Sequence, residues 1–240
     1  MPKFDFKLSL SVIIPLYNGA EWIESTLQHL LDQTVRPSEI IVVDDGSSDN
    51  GAQIVRQIAQ ANGDLIRLHR KANQGVGHTR NVGIQMSSGD LILLLDQDDL
   101  LQPEALEKHL EVWETEPTAQ ITRGNEKMVL VEGHSYPSWL KAETLDVVRI
   151  GTNFSSFVIH RSLFDTVGPL DESYSMGSDT DWFARAREKN VAFSPVEFLT
   201  TVRRIHGTNH SAQVTTAQVD LTTLLHASIL RRRKEKSAAT

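Results

Sequence analysis

Three carboxylates fall within the four residues Asp96-Gln97-Asp98-Asp99, directly after the apolar run Leu91-Ile92-Leu93-Leu94-Leu95. Carboxylates this close repel one another unless a cation or a ligand hydroxyl compensates them. An oxygen-rich cluster of this kind suits a hard divalent ion, Mn2+ or Mg2+, that leaves positions open for the phosphates of a nucleotide. A second acidic pair, Asp44-Asp45, closes the run Ile40-Ile41-Val42-Val43 and leads into the turn Gly46-Ser47-Ser48-Asp49. Each cluster alone also reads as a structural turn, Asp98-Asp99 capping a helix begun by Pro103 and residues 44–49 capping one that starts near Gly51. Together they point to a ligand. Ligands of open α/β sheets lie just beyond the carboxyl ends of the strands, and here two such ends are acidic.

Alternation of short apolar runs with helical periodicity supplies the elements that would hold these ends in place. Leu10 to Pro15 reads as a strand, Glu21 to Gln33 as a helix with Trp22, Leu27, Leu30 and Leu31 toward the core, and Ile40–Val43 as a second strand. A helix from Gly51 to Ala61, a strand from Leu65 to Leu68 and a helix from about Thr79 to Met86 follow, before the strand Leu91–Leu95. This order predicts a parallel sheet with right-handed crossovers. Beyond it the pattern is less regular. Helices are expected over Pro103–Glu116, Arg161–Val167 and Asp179–Lys189, extended segments from Ile121 and at Phe157–Ile159, and a poorly periodic stretch from Gly133 to Ile150, containing Tyr136 and Trp139, as a loop beside a cleft. Acceptor contacts are expected in Gly133 to Phe157. A last helix, Ala212 to Leu230, runs into the basic segment Arg231-Arg232-Arg233-Lys234.

Composition narrows the function. A net charge of −7 disfavours a nucleic-acid partner, which needs a basic face. The absence of cysteine removes disulfides, thiolate metal sites and a Cys nucleophile, and fits a reducing, cytoplasmic setting. No apolar run approaches the roughly 20 residues that span a bilayer, and Met1 to Leu8 is followed by no apolar stretch of signal-peptide length. The basic C-terminal tail leaves open a peripheral contact with the inner face of a membrane, a dimer helix or a solvated end. The sequence leaves the oligomeric state open.

Four ordered motifs resemble one family. Val12-Ile13-Ile14-Pro15-Leu16-Tyr17-Asn18, Val42-Val43-Asp44-Asp45-Gly46-Ser47-Ser48-Asp49, Gly75 to Gly83 with Arg80-Asn81, and Asp96-Gln97-Asp98-Asp99 look like family 2 glycosyltransferases of the GT-A fold. The likeness continues through Val167-Gly168-Pro169-Leu170-Asp171-Glu172 and Ser178-Asp179-Thr180-Asp181-Trp182. It implies a Rossmann-like, mostly parallel α/β sheet with a nucleotide-binding half at about 9–100 and a less regular acceptor half at 101–211, residues 212–240 forming a helix and tail. It also implies an inverting enzyme that moves a sugar from a nucleotide diphosphate, with UDP the expected nucleotide, to a saccharide, lipid-linked or other hydroxyl acceptor. Pro15, Tyr17 and Asp45 match positions that hold the nucleobase, and Asn18 of the same motif counts with them on the donor side. Asp96 and Asp98 match the DxD element, Asp96 near the ribose or sugar and Asp98 on the metal, while Arg80 matches an arginine close to the donor. Asp179 matches the general base, although Ser178 replaces the glutamate that precedes it in the family. Asp181 reads instead as an ion-pair partner of Arg185, four residues on. His206 resembles a C-terminal histidine that completes the metal shell or contacts the diphosphate, with Arg203 and Arg204 nearby. His78 stands where the family tends to carry a small residue.

Two other functions stay open at this point. A sugar-1-phosphate nucleotidyltransferase shares the acidic sheet edge but needs a basic, glycine-rich loop after the first strand. Leu16-Tyr17-Asn18-Gly19-Ala20-Glu21 has no basic residue there. A sugar-nucleotide-binding protein with impaired catalysis is favoured only by Ser178.

Overall fold

The computed structural model describes residues 7–135 and 140–209. The expected C-terminal helix and basic tail, like Tyr136 and Trp139, lie outside the described residues. In the first half the chain passes through β1 (Leu10–Leu16), α1 (Ile23–Leu31), β2 (Glu39–Asp44), α2 (Gly51–Asn62), β3 (Ile66–Arg70), α3 (Val76–Met86) and β4 (Leu91–Leu94). β5 (Asp99–Leu101), α4 (Ala105–Thr115), β6 (Ile121–Leu130), β7 (Val148–Ile150), β8 (Phe157–His160), α5 (Ser162–Thr166), α6 (Ser178–Glu188) and β9 (Phe193–Ile205) make the second half.

All residues of β1, β2 and β4 are buried, because each strand is covered on both faces. Alternate side chains enter different layers. Val12, Ile14, Ile40, Val42, Leu91 and Leu93 pack with α1, α2 and α4, whereas Ile13, Ile41, Val43, Ile92 and Leu94 pack with α3, α5 and α6. Gly83 allows the close approach of α3: a Cβ there would stand 2.3 Å from Ile13 Cγ2.

The strands form one sheet in the order β3-β2-β1-β4-β8-β6-β9-β5, with β7 also paired to β6. Its first four strands are parallel, so the carboxyl ends of β1, β2 and β4 share an edge. Pro15 pairs only with Val43, beyond the last β4 partner, where its missing N–H costs no ladder bond on that side. In the second half only β6 and β9 pair in parallel; β8, β7 and β5 pair antiparallel.

One departure from the expected elements builds the site. Asp98-Asp99 does not cap a helix. Asp99 opens β5, which leaves the parallel block and pairs antiparallel with β9 at the far end of the sheet, Asp99 opposite Arg203. That register sets Asp98 beside Arg204 and within reach of His206. β9, at 13 residues the longest strand, and the short strand β7 inside the stretch Gly133–Ile150 were not expected. Of Gly133 to Phe157, only Asn153 among the described residues lines the principal cleft.

Candidate active site

A cleft of about 690 Å3 opens at the carboxyl edge of the parallel strands. It is lined by Pro15, Tyr17, Asn18, Asp45, Arg80, Asp96, Asp98, Asp179 and His206, so every predicted site residue meets in one place. Their positions come from loops that brace one another. Asn18, with φ of 46°, takes Ser47 Oγ on its backbone N–H and accepts from Ser48 N at 2.8 Å, which ties the loop after β1 to the loop after β2. Gln97 accepts from Tyr17 N at 2.9 Å and donates to Tyr17 O at 3.2 Å, which ties the first loop to the DxD segment.

Asp45 is buried at the base of the loop that precedes α3. Its carboxylate accepts from Gln74 N and Gly75 N, each at 2.9 Å, and pairs with Lys71. An ionised carboxylate offers about four acceptor sites, so one is left for a ligand. Gly46, with φ of +75°, closes this corner, where a Cβ would press on Asn73 N at 3.1 Å.

Arg80 pairs with Asp96 Oδ1 and lies over the Phe154 ring at 5.3 Å. Asn81 reaches the other way, donating to Leu170 O and Glu172 Oε1 and accepting from Leu170 N. The segment before α6 is therefore pinned to α3. His78 belongs to the same brace, its Nδ1 lying 2.9 Å from Glu172 Oε2, and this accounts for a histidine at that position.

The three carboxylates of the DxD segment divide by environment. Burial, joined by repulsion from Asp98, pushes Asp99 up to about 8. Asn153 Nδ2 donates to Asp99 at 3.0 Å. Burial also works against the charge of Asp98, but the hydrogen bond and charge of His206, with Asn209, hold Asp98 below the ordinary carboxylate range. Asp98 Oδ2 lies 3.0 Å from His206 Nε2 and 3.0 Å from Asn209 Nδ2. The His206 ring stacks on Trp22, centroids 4.3 Å apart at 20°.

The two arginines of β9 play different parts. Arg204 donates to Asp98 O, Ser25 Oγ and Thr26 Oγ1 and lies over Trp22 at 5.0 Å, so its guanidinium fastens β9 to α1. Arg203 stays charged: burial opposes its charge, but Asp99, Glu126, Asp96 and Asp98 raise its pKa. Asp179 stands in the first turn of α6, where Thr180 N donates to its Oδ1 at 2.7 Å. Asp181 is buried against Arg185 Nε at 2.7 Å, and Arg185 also donates to Val167 O and Pro169 O. Its role is structural, as its spacing from Arg185 suggests. Trp22, Asn153, Thr208 and Asn209 also line the cleft; Trp22 reads from its spacing as a core residue of the first helix, and the other three are single polar residues that form no sequence pattern.

A parallel α/β half with acidic loops at its carboxyl edge, joined to a mixed half that returns one strand beneath them, is the architecture of GT-A glycosyltransferases. The chain belongs to glycosyl transferase family 2, whose family model matches residues 11–165. An uncharacterized glycosyltransferase of Haemophilus influenzae is 30% identical over 193 residues, 78% of this chain and 64% of that one. The chondroitin synthase of Pasteurella multocida is 28% identical over 208 residues, 84% of this chain but 21% of the synthase. The present chain thus spans only part of these relatives' length. Among solved structures, S. aureus TarS 1-349 in complex with UDP-GlcNAc has a TM-score of 0.68 at 22% identity, covering 86% of this chain and 61% of that one. Its complex with UDP has a TM-score of 0.64 at 23% identity, over 83% and 61%. Among the described residues no helix is long and apolar enough to cross a membrane.

Proposed function

We propose that this chain transfers a sugar from a UDP-sugar to a hydroxyl acceptor with inversion at the anomeric carbon, using a divalent cation at Asp98 and His206 and Asp179 as general base. The reading rests chiefly on one observation: an acidic donor loop, the DxD segment, the β9 histidine and the α6 carboxylate, far apart in sequence, all line a single cleft. Its volume falls within the roughly 300–1,000 Å3 usual for small-molecule sites. TarS, of like fold, is solved with UDP and with UDP-GlcNAc, which supports a uridine donor. Tyr17, half exposed, offers a ring face to a base, and Asp45 offers its remaining acceptor site.

The residues fit a cation. A carboxylate and an imidazole 3.0 Å apart suit Mn2+ or Mg2+. Asp98 and His206 would hold such an ion, although no group of three or more His, Asp or Glu gathers there among the described residues. When bound, such an ion neutralises charge on the diphosphate and stabilises it as a leaving group. Arg80, paired with Asp96, orients that carboxylate toward the donor. Asp179 accepts the acceptor's proton while its hydroxyl oxygen attacks opposite the leaving diphosphate, so one carboxylate suffices and no covalent nucleophile is required. Ser178 in place of the family's glutamate puts Asp179 and Asp181 in competition for that role, and the pairing of Asp181 with Arg185 favours Asp179.

A panel of UDP-sugars offered with Mn2+ and simple saccharide acceptors tests the proposal, with donor consumption and the anomeric configuration of the product as readouts. Inverted product is expected. Retained configuration would rule out the single-base scheme, and donor binding without turnover on any sugar would favour a binding protein.

A further inference from the structure

Three arginines line the cleft, and two of them are occupied. Arg80 pairs with Asp96, and the guanidinium of Arg204 is taken up by Asp98 O, Ser25 and Thr26. Arg203 differs. Among the described residues its guanidinium donates no hydrogen bond, and its ion-pair contact, Glu126 Oε1 at 3.8 Å, is too long to be one. Glu126 is already held by Arg149, whose Nε and Nη2 each lie 3.1 Å from Oε1, and by Thr152. Asp99, opposite Arg203 in the β5–β9 pair, accepts from Asn153. Asp96 has Arg80, and Asp98 has His206 and Asn209. Each carboxylate around Arg203 therefore has another partner, while 22% of the Arg203 side chain stays exposed at the cleft.

The strand decides which part of a substrate this arginine meets. Side chains alternate along β9. Arg204 and His206 lie against Trp22, on the side proposed for the cation, whereas Arg203 turns toward Glu126 and the segment that carries Asn153. A group held by Arg203 thus stands across β9 from a diphosphate bound to that cation. The planar fork of a guanidinium matches the two oxygens of a carboxylate, which it binds in a bidentate pair. We propose that Arg203 is a specificity-determining residue that binds the carboxylate of an acidic sugar, so that a uronic acid is favoured over the neutral hexose. This deepens the donor and acceptor reading above and rests on it. The place of Arg203 beside Asn153 assigns the acidic sugar to the acceptor; a donor whose own sugar carries the acid offers the same chemistry, and the test separates the two. A neutral hexose leaves the guanidinium with no carboxylate to bind.

Calorimetry on the full chain with Mn2+ supplies that test. In one arm UDP, UDP-glucose and UDP-glucuronate are titrated; in the other, glucuronate and glucose are titrated into protein already holding UDP. The acidic sugar should bind at least about tenfold tighter than the neutral one, the lower end for a charge-assisted hydrogen bond, in the second arm if the acid is the acceptor's and in the first if it is the donor's. Arg203→Gln should bring acidic and neutral sugars within about twofold of each other and leave UDP affinity within about twofold. Should Arg203→Gln not fold, the unsubstituted protein still answers: the Arg203 Nε–H resonance, identified by its absence in Arg203→Lys, should shift with glucuronate or UDP-glucuronate and not with the neutral counterpart. No acid preference in either arm, a preference that survives Arg203→Gln, or a resonance indifferent to the acid overturns this inference while UDP binding leaves the donor reading standing. Equal losses of UDP and UDP-glucuronate affinity in Arg203→Gln assign Arg203 to the diphosphate and overturn it too. Absence of UDP binding to the unsubstituted protein overturns the donor reading, and this inference with it.

Discussion

Within Asp96–Asp99 the side chains differ by environment: Asp96 answers Arg80, Asp98 answers His206 and Asn209, and Asp99, the most buried, is pushed up to about 8 and accepts from Asn153. The repulsion that makes such a cluster conspicuous in sequence thus falls unequally on its members. What sequence spacing conveys is the presence of the cluster; which carboxylate stays charged depends on β9, whose Arg203 and His206 arrive from more than a hundred residues away. Asp179 and Asp181 are separated in the same manner. They are two residues apart, yet Asp181 is buried in an ion pair with Arg185 and Asp179 lines the cleft. Replacing Asp179 with Asn is expected to leave UDP affinity within about twofold and to lower sugar transfer by about 10²–10⁴, the span usual for loss of a general base, as seen by calorimetry and steady-state turnover. Turnover at the unsubstituted rate would assign the base elsewhere.

At the scale of elements, the parallel half was legible because its strands are covered on both faces and read as unbroken apolar runs, as in Ile40–Val43 and Leu91–Leu95. β9 was not. Pro195, Glu197, Thr200, Thr201, Arg203 and Arg204 interrupt any apolar period, since several of these residues serve the site and its supports rather than the core. β5 is three residues long and β7 presents Val148 and Ile150 to solvent, so neither carries a burial signal. The packing of α3 on β1 gives an element-scale test. Gly83→Ala puts a methyl 2.3 Å from Ile13 Cγ2 and is expected to cost about 1–3 kcal/mol as overpacking, read as a lower urea midpoint with an unchanged slope. A midpoint equal to that of the unsubstituted protein would show that α3 does not need this close approach.

Across the whole molecule, two buried groups on opposite faces of the sheet each contribute stability that is lost toward acid. Burial alone holds His109 of α4 neutral, its pKa lowered to about 3, with Thr122 Oγ1 at 2.8 Å from Nδ1. The unfolded chain takes up a proton there near pH 6.5, so this contribution is complete above about 6.5 and is lost as the pH falls toward 3. Glu39 is resisted by burial but held at about 2 by Ser11, Ser88 and Arg67; its contribution is present above 4.5 and lost between there and about 2. Each of these contributions falls at up to about 1.4 kcal/mol per pH unit, whereas Asp99, raised to about 8, acts in the opposite sense, adding stability as the pH falls from about 8 to 3.8. The difference in unfolding free energy between the unsubstituted protein and His109→Gln should therefore shrink as the pH falls from 6.5 toward 3, and that for Glu39→Gln should shrink below 4.5, in denaturant titrations run across pH; differences that stay constant with pH would contradict the assignment. The central claim, that donor and cation meet at the junction of β5 and β9, is tested most directly by the affinity for UDP with and without Mn2+ in the unsubstituted protein and in Asp98→Ala. Mn2+ is expected to tighten UDP binding at least about tenfold, worth about 1.4 kcal/mol, in the former and to leave it unchanged in the latter. Equal UDP affinity with and without Mn2+ in the unsubstituted protein, or full Mn2+ dependence in Asp98→Ala, would contradict it.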